Sequence, residues 1–390
     1  MRKLPGYGQC LLIPAVIGIV LIILSVRPLD AAQCCVLNEG TTQLDAEVVA
    51  DGFDIPWGMA FPGDGSILIT ERPGALRRVV NGVVSEPFEG LPRIGATGQG
   101  GLLDVALDPN FANNRRIYIS YTEPSNDWSA YSTAVARGRI DLAGGRVDDV
   151  EVIFSANNKS SGGRHFGSRL RFAPDGTLFI TLGDRGEQMR AQDPFDHAGS
   201  VIRINPDGSV PADNPFADGT AAQPETWSIG HRNPQGAAVH PITGALWTLS
   251  HGARGGDEIN IPQAGLNYGW PLISYGSNYS GRGFSMGDTA DGMEQPVYYW
   301  DPSIAPSGFD FYMPVNPLVP DWQGSVLAGA LRAQHLSRLV LDGDNVVAEE
   351  RYFVDTFGRI RDVRTGPDGA VWLLTDDDDG KLIRVTQSDD

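Results

Sequence analysis

One unit recurs along the chain and constrains its fold more than any other feature. It is a short apolar strand, a turn of Pro, Asp, Asn or Gly, and a run of alternating β-formers ending on a small or polar residue. It is read in "AFPGDGSILITE", "ALDPNFANNRRIYISYTE", "RFAPDGTLFITLGD", "AVHPITGALWTLSHG", "DWQGSVLAGAL" and "TGPDGAVWLLTD". Pro and Gly preset the turn dihedrals, and period-two alternation marks half-buried strands. The spacing is irregular but fits blades of roughly 40 to 50 residues with insertions, the repeat signature of a β-propeller. With 48 glycines and 27 prolines among 390 residues, and no long helical periodicity, an α/β fold is disfavoured. A β-sandwich is the structural alternative, but six recurrences of one unit fit radial repetition better than a two-sheet core. The expectation is an all-β, six-bladed β-propeller over residues 46–387. Within it, "VARGRIDLAGGRVDDVEVIF" reads as the outer strands of one blade, and Ser274 to Glu294 as an inserted surface loop. Loops at one end of separate blades converge, so motifs far apart in sequence can form one pocket.

The formal net charge of −18 argues against binding to nucleic acid or an anionic membrane, both of which need positive fields. An anionic ligand would therefore require a local cluster of cations. Lys3, Lys159 and Lys381 are the only lysines, so the cationic chemistry is almost all arginine. That suits planar recognition of carboxylates, though genome base composition would produce the same bias.

Residues 1–32 carry Arg2 and Lys3, an apolar run from Leu11 to Val26, and Ala31–Ala32 before Gln33, the architecture of a secretory signal cleaved after Ala32. An uncleaved anchor is the other reading; the run is shorter than the roughly 20 residues of a spanning helix. Either way the domain is expected to be exported, periplasmic or secreted. Residues 33–45 are expected as a flexible segment holding Cys34 and Cys35, and no cysteine spacing suits an internal disulfide framework or a metal.

Gly-rich polar loops stand at 95–104, 160–170, 230–236, 250–271, 302–308, 329–339 and 358–369. Taken in order, "GQGGLLDVALDPNF", "GGRHFGSRL", "GHRNPQG", "DEIN" followed by "GLNYGWP", and "RIRDVRTGPDG" resemble the soluble aldose sugar dehydrogenases of the glucose/sorbosone dehydrogenase family. These are six-bladed propellers that bind pyrroloquinoline quinone (PQQ) and calcium, and the likeness runs from Glu47 to Val385. It implies oxidation of aldose sugars at C1 to lactones, with hydride passing to the quinone and electrons leaving to an external acceptor. A monomer or homodimer is expected.

Oxidising an anomeric hydroxyl needs a base near neutral pH, and His165 is the residue that matches. Outside the family context a histidine among Gly and Arg reads more readily as a loop hydrogen-bond donor. The resemblance places Arg232, Arg332, Arg359 and Arg361 against the three carboxylates of PQQ, with Gln99 and Asn233 as amide donors and Ser303 nearby. Guanidinium forks match carboxylates with paired hydrogen bonds. Arg232 would also face the oxygen that becomes negative on reduction, a catalytic role, while His231 packs or orients its turn. Alternation in "RIRDV" would alternatively put Arg359 and Arg361 on one solvated strand face.

No EF-hand or zinc spacing is present, but carbonyls of a Gly-rich turn can hold calcium. By similarity the carbonyls of Gly252 and Ala253 would bind one ion beside the cofactor, and Glu258 with the carbonyl of Tyr268 a second. From the sequence alone Asp257 and Glu258 read as surface charges, and "DDDD" at 376–379 as a solvated hairpin tip. Departures from the glucose-oxidising branch are Arg332 for a lysine, Ser303 for a threonine and Ala253 for a proline. The stretch after the second strand in "LFITLGDRGEQMRAQD" does not align, so Gln188 and Met189 receive no role. The rival expectations are a calcium-dependent sugar lactonase and a non-catalytic propeller that grips a glycan or a protein.

Overall fold

The computed structural model describes residues 37–388; the signal region and all three cysteines lie outside them. Six sheets stand around one axis as a β-propeller. The innermost strands of blades 1 to 6 are Pro56–Ala60, Leu102–Leu107, Leu170–Phe172, Pro234–Val239, Pro306–Tyr312 and Ile360–Thr365. Each contacts the next around the ring, and the last returns to the first. The six sequence units fall one per blade, each spanning the hairpin into the second strand or, in blade 5, the second strand itself.

Second strands such as Ile67–Glu71, Leu246–Ser250 and Val371–Thr375 are buried at every position, rather than half-buried as alternation implied. The reason is geometric: both faces of a blade pack against neighbouring blades, so near-continuous apolar runs are stable there. Apolar clusters fill the gaps between blades. Trp247, Ile259, Phe309 and Val326 join blades 4 and 5, and Tyr312, Leu336, Val363 and Leu373 join blades 5 and 6. The outer strand Arg146–Ser155 is mostly exposed or half-buried, as expected for its sequence.

The ring is closed by pairing the chain's two ends. Leu44–Phe53 is the outer strand of blade 6, antiparallel to Gly380–Gln387 in a register from Leu44 opposite Gln387 to Phe53 opposite Gly380. Leu37–Glu39 adds in parallel to Asn345–Tyr352, the outer strand of blade 5. The part of the expected flexible segment that lies within the described residues is therefore tied down by sheet pairing at both places, which satisfies backbone groups that a free tail would leave to water.

Strand direction decides where chemistry can gather. Within every blade the chain enters the inner strand and leaves the second strand at the same end of the ring. All seven Gly-rich loops meet that end, at the entry to an inner strand or the exit from a second one. Five inner strands also carry a register shift near their entry: Pro56/Gly58, Leu102/Val105, Pro234/Gly236, Pro306/Phe309 and Ile360/Asp362. Such bulges re-aim side chains and bend the strand.

Candidate active site

A cavity of 400 Å³ opens at this end. Gln99, His165 and Arg232 line it from the loops that enter blades 2, 3 and 4, and Gly252, Ala253, Ser303 and Arg332 complete the wall from blades 4 and 5. Seven of the expected residues, spread over more than 200 positions of sequence, thus share one pocket.

His165 takes a left-handed backbone conformation, φ 55°, which is uncommon for a residue with a Cβ. Its N–H donates to Oε1 of Gln99 at 2.8 Å. The imidazole Nδ1 lies 2.6 Å from Oδ1 of Asp184. Asp184 follows the second strand of blade 3, Leu178–Thr181, and is fully buried. Its carboxylate also accepts from Trp270 Nε1 at 2.8 Å and from the Gly186 N–H at 2.6 Å. Gly183 lets the two loops meet, since a Cβ there would stand 2.2 Å from the His165 carbonyl oxygen. Burial lowers the His165 pKa below its ordinary value; the Asp184 bond opposes the shift, and the Arg232 and Arg164 charges add to it. Desolvation outweighs the arginine charges as the cause.

Arg232 is buried, donates from a terminal nitrogen to the His251 carbonyl at 3.2 Å, and stands 5.2 Å from the Trp270 ring centre. Its Nε has no protein partner. Asn233 is turned away from the cavity: Oδ1 accepts the Gly167 N–H at 3.1 Å, and Nδ2 is buried without a protein partner. His231 orients its turn, with Nε2 2.9 Å from Ser228 Oγ and its ring stacked on Tyr268 at 4.8 Å. Arg332 donates to the Ser303 carbonyl at 3.2 Å.

Arg359 and Arg361 do not line the cavity. Both are claimed by Asp376, Arg359 at 2.8 Å and Arg361 through two nitrogens at 3.1 and 2.8 Å. Arg361 is buried and also donates to Gln235 at 2.8 Å, so it is not on a solvated face. Asp376 correspondingly leaves the expected hairpin tip, and the two guanidiniums hold its carboxyl down at about 2 against the opposing burial.

Asp257 is not a surface charge. It is buried and accepts from Gly252 N–H at 2.8 Å, Ser303 Oγ at 3.0 Å and Ile304 N–H at 2.8 Å, joining the blade 4 turn to the loop entering blade 5. That turn is tight: a Cβ on Gly252 would meet the carbonyl oxygens of Gly255 and Gly256 at 2.2 and 2.3 Å. Glu258 is half-buried, receives one hydrogen bond, from Asn260 at 3.2 Å, and is pushed up by desolvation to about 7. Tyr268 anchors its loop through its hydroxyl, which donates to the Ile261 carbonyl at 2.6 Å.

The residues fit the two groups the resemblance implies. The partnerless guanidinium nitrogen of Arg232, in a cavity that Arg332 also lines, suits an anionic planar ligand. A half-buried carboxylate with a single donor, such as Glu258, suits a cation, as does a turn that gathers carbonyls. Among the described residues no group of three His, Cys, Asp or Glu side chains gathers as a metal site, so any ion there leans on carbonyls.

Sequence reasoning missed Asp184, Trp270, Asp257 and His251, which also lines the cavity. The available signal was the phase of the repeat. Asp184, His251, Arg332 and Asp376 all stand within three residues of the end of a second strand, at or just past the end of a repeat unit.

The glucose/sorbosone dehydrogenase family model matches residues 53–384. The chain is 45% identical over 347 residues to aldose sugar dehydrogenase YliI of Escherichia coli, covering 88% of this chain and 93% of that protein. The crystal structure of the soluble aldose sugar dehydrogenase of Escherichia coli in its apo form superposes with a TM-score of 0.85 at 44% identity, over 89% of this chain and 100% of that one. The PQQ-bound aldose sugar dehydrogenase of Streptomyces coelicolor gives a TM-score of 0.72 at 27% identity, over 88% and 99%. With that match spanning the whole ring, from the outer strand of blade 6 back to its third strand, this chain belongs to the glucose/sorbosone dehydrogenase family.

Proposed function

We propose that this protein oxidises aldose sugars at C1 to lactones with PQQ as hydride acceptor and His165 as general base. The observation that carries the reading is the short His165–Asp184 contact at the wall of a guanidinium-lined cavity. Asp184 engages Nδ1 and so favours the tautomer whose Nε2 carries the free lone pair, the atom that takes the proton of the anomeric hydroxyl. The buried carboxylate then stabilises the imidazolium without taking the proton itself. Arg232, held by the His251 carbonyl and the Trp270 ring, presents a fixed positive charge to the cavity, where negative charge on a bound acceptor is stabilised without reorganisation. Gln99 and Arg332 orient what binds beside them. PQQ, when bound, would supply the two-electron acceptor for the hydride leaving C1, with an external carrier as the final acceptor. The carbonyls of Gly252 and Ala253 would hold a calcium that would supply Lewis acidity, and Glu258 with the Tyr268 carbonyl would hold a second as a structural tie. The PQQ-bound relative and the 45% identity to a named aldose sugar dehydrogenase support this reading. The signal-like residues 1–32 support a periplasmic or secreted enzyme.

The test is reconstitution of the metal-stripped protein with PQQ, with and without calcium, followed by aldose-dependent dye reduction. Turnover is expected only with both additions. His165→Ala should retain the quinone absorbance and lose about 10²-fold or more in kcat. If PQQ neither binds nor supports turnover, the reading fails; undiminished activity in His165→Ala would remove the base assignment alone. Calcium should also raise the melting temperature of the apoprotein by about 3–5 °C at saturating concentration, and Glu258→Gln should abolish most of that rise. An equal rise in the variant would show that Glu258 holds no ion.

A further inference from the structure

Arg185, the residue after Asp184, has no place in the mechanism above, yet its side chain is only 5% exposed. Its guanidinium donates to the carbonyl oxygens of Gly162 and Arg164 through separate terminal nitrogens. It lies 3.4 Å from the ring centre of Phe166. Its backbone N–H donates to the His165 carbonyl at 3.3 Å. Four residues on and around His165 are thus gripped from one side chain and its own backbone. No carboxylate among the described residues forms an ion pair with it, and its Nε is buried without a protein partner. Arg185 itself has a left-handed backbone, φ 59°, facing His165 at φ 55°.

Burying a guanidinium without a counter-ion is costly, and sparsely populated backbone conformations persist only where their surroundings over-determine them. Both costs converge on the five residues that carry the base. We infer that Arg185 is a positioning residue: its planar fork clamps the Gly162 and Arg164 carbonyls and keeps the His165 imidazole within reach of Asp184 and of the substrate hydroxyl. The inference rests on His165 acting as the base. A fork is required because two carbonyls two residues apart must be held at once; an ammonium is a point charge and can satisfy only part of the grip.

The experiment compares Arg185→Met and Arg185→Lys with the wild type in the reconstituted holoenzyme and, separately, in the apoprotein. Arg185→Met should lower kcat about 10²-fold, the scale on which a misplaced catalytic group acts, with the sugar KM and PQQ affinity within about twofold of wild type. Arg185→Lys should recover part of that loss. In the apoprotein, the strongly downfield proton of the His165–Asp184 hydrogen bond should be visible by NMR in the wild type, absent in Arg185→Met and broadened in Arg185→Lys. If the methionine variant does not fold, the lysine variant decides: a kcat deficit at unchanged KM supports the clamp. Wild-type kcat together with an intact proton signal in the folded variants overturns it, as does a loss confined to KM. A lost proton signal alongside full activity in His165→Ala would refute the base assignment and leave the clamp standing.

Discussion

Asp184→Asn is expected to lower kcat by about 10²- to 10⁴-fold while PQQ still binds. The wild-type carboxylate accepts three hydrogen bonds: His165 Nδ1 and the Gly186 N–H on Oδ1, and Trp270 Nε1 on Oδ2. An asparagine has one acceptor oxygen for these positions. With its NH₂ toward Trp270, two donors face each other in a buried site. With its NH₂ toward His165, the amide opposes the Gly186 N–H, and the imidazole must present a lone pair at Nδ1. That places the proton on Nε2, the atom the base needs free. Each orientation therefore strains the site or inverts the tautomer. The pH profile supplies a second readout. Because burial lowers the His165 pKa, the imidazole stays neutral and basic below its ordinary pKa, so the acid limb of wild-type kcat/KM should fall at pH below about 6.5. Removing the Asp184 charge, which favours the protonated ring, should move that limb further to acid. A variant with wild-type kcat would be incompatible with the dyad, whereas a wild-type limb above 6.5 would mean that the Asp184 charge outweighs burial at His165.

The second large effect is on stability and lies on the axis beneath the cavity. Asp104, on the inner strand of blade 2, is fully buried. Its carboxylate accepts from Arg169 of blade 3 at 3.0 Å, Arg364 of blade 6 at 3.1 Å, Arg171 at 3.2 Å and the Leu170 N–H at 2.9 Å. Arg169 reaches on to the Gln235 carbonyl of blade 4 at 2.9 Å, to Asp362 of blade 6 at 3.1 Å and to the Trp57 ring of blade 1 at 4.2 Å. The network ties five of the six inner strands together. Asp104→Ala would leave several buried guanidiniums short of their counter-charge, and breaking a buried pair from one side costs about 3–5 kcal/mol. Urea unfolding of the apoprotein should show a loss of that size; a change under about 1 kcal/mol would mean that water or Asp362 compensates. This network accounts for Asp104 and Arg169 in the motifs "GQGGLLD" and "GGRHFGSRL" as architecture rather than chemistry.

Reading the sequence alone was sufficient wherever the information is local. Turn residues and apolar runs repeat once per blade, so blade number and the end of the ring that carries the Gly-rich loops were legible. The loops that carry the seven cavity residues were legible because their composition is unlike a strand's, while the choice of residues within them came from the family resemblance. What the tertiary structure decided was the partner of each charge. Arg359 and Arg361 look the same as Arg332 in sequence, but the fold gives them Asp376 and leaves Arg332 at the cavity. Asp257 and Asp184 look like surface acids, yet closure of the ring buries both and turns them toward loops 46 and 19 residues away in sequence. The physical reason is that strand pattern depends on near neighbours along the chain, whereas the environment of a charge depends on which blades are brought beside it, and a propeller sets that only when its last blade is completed by its first strand.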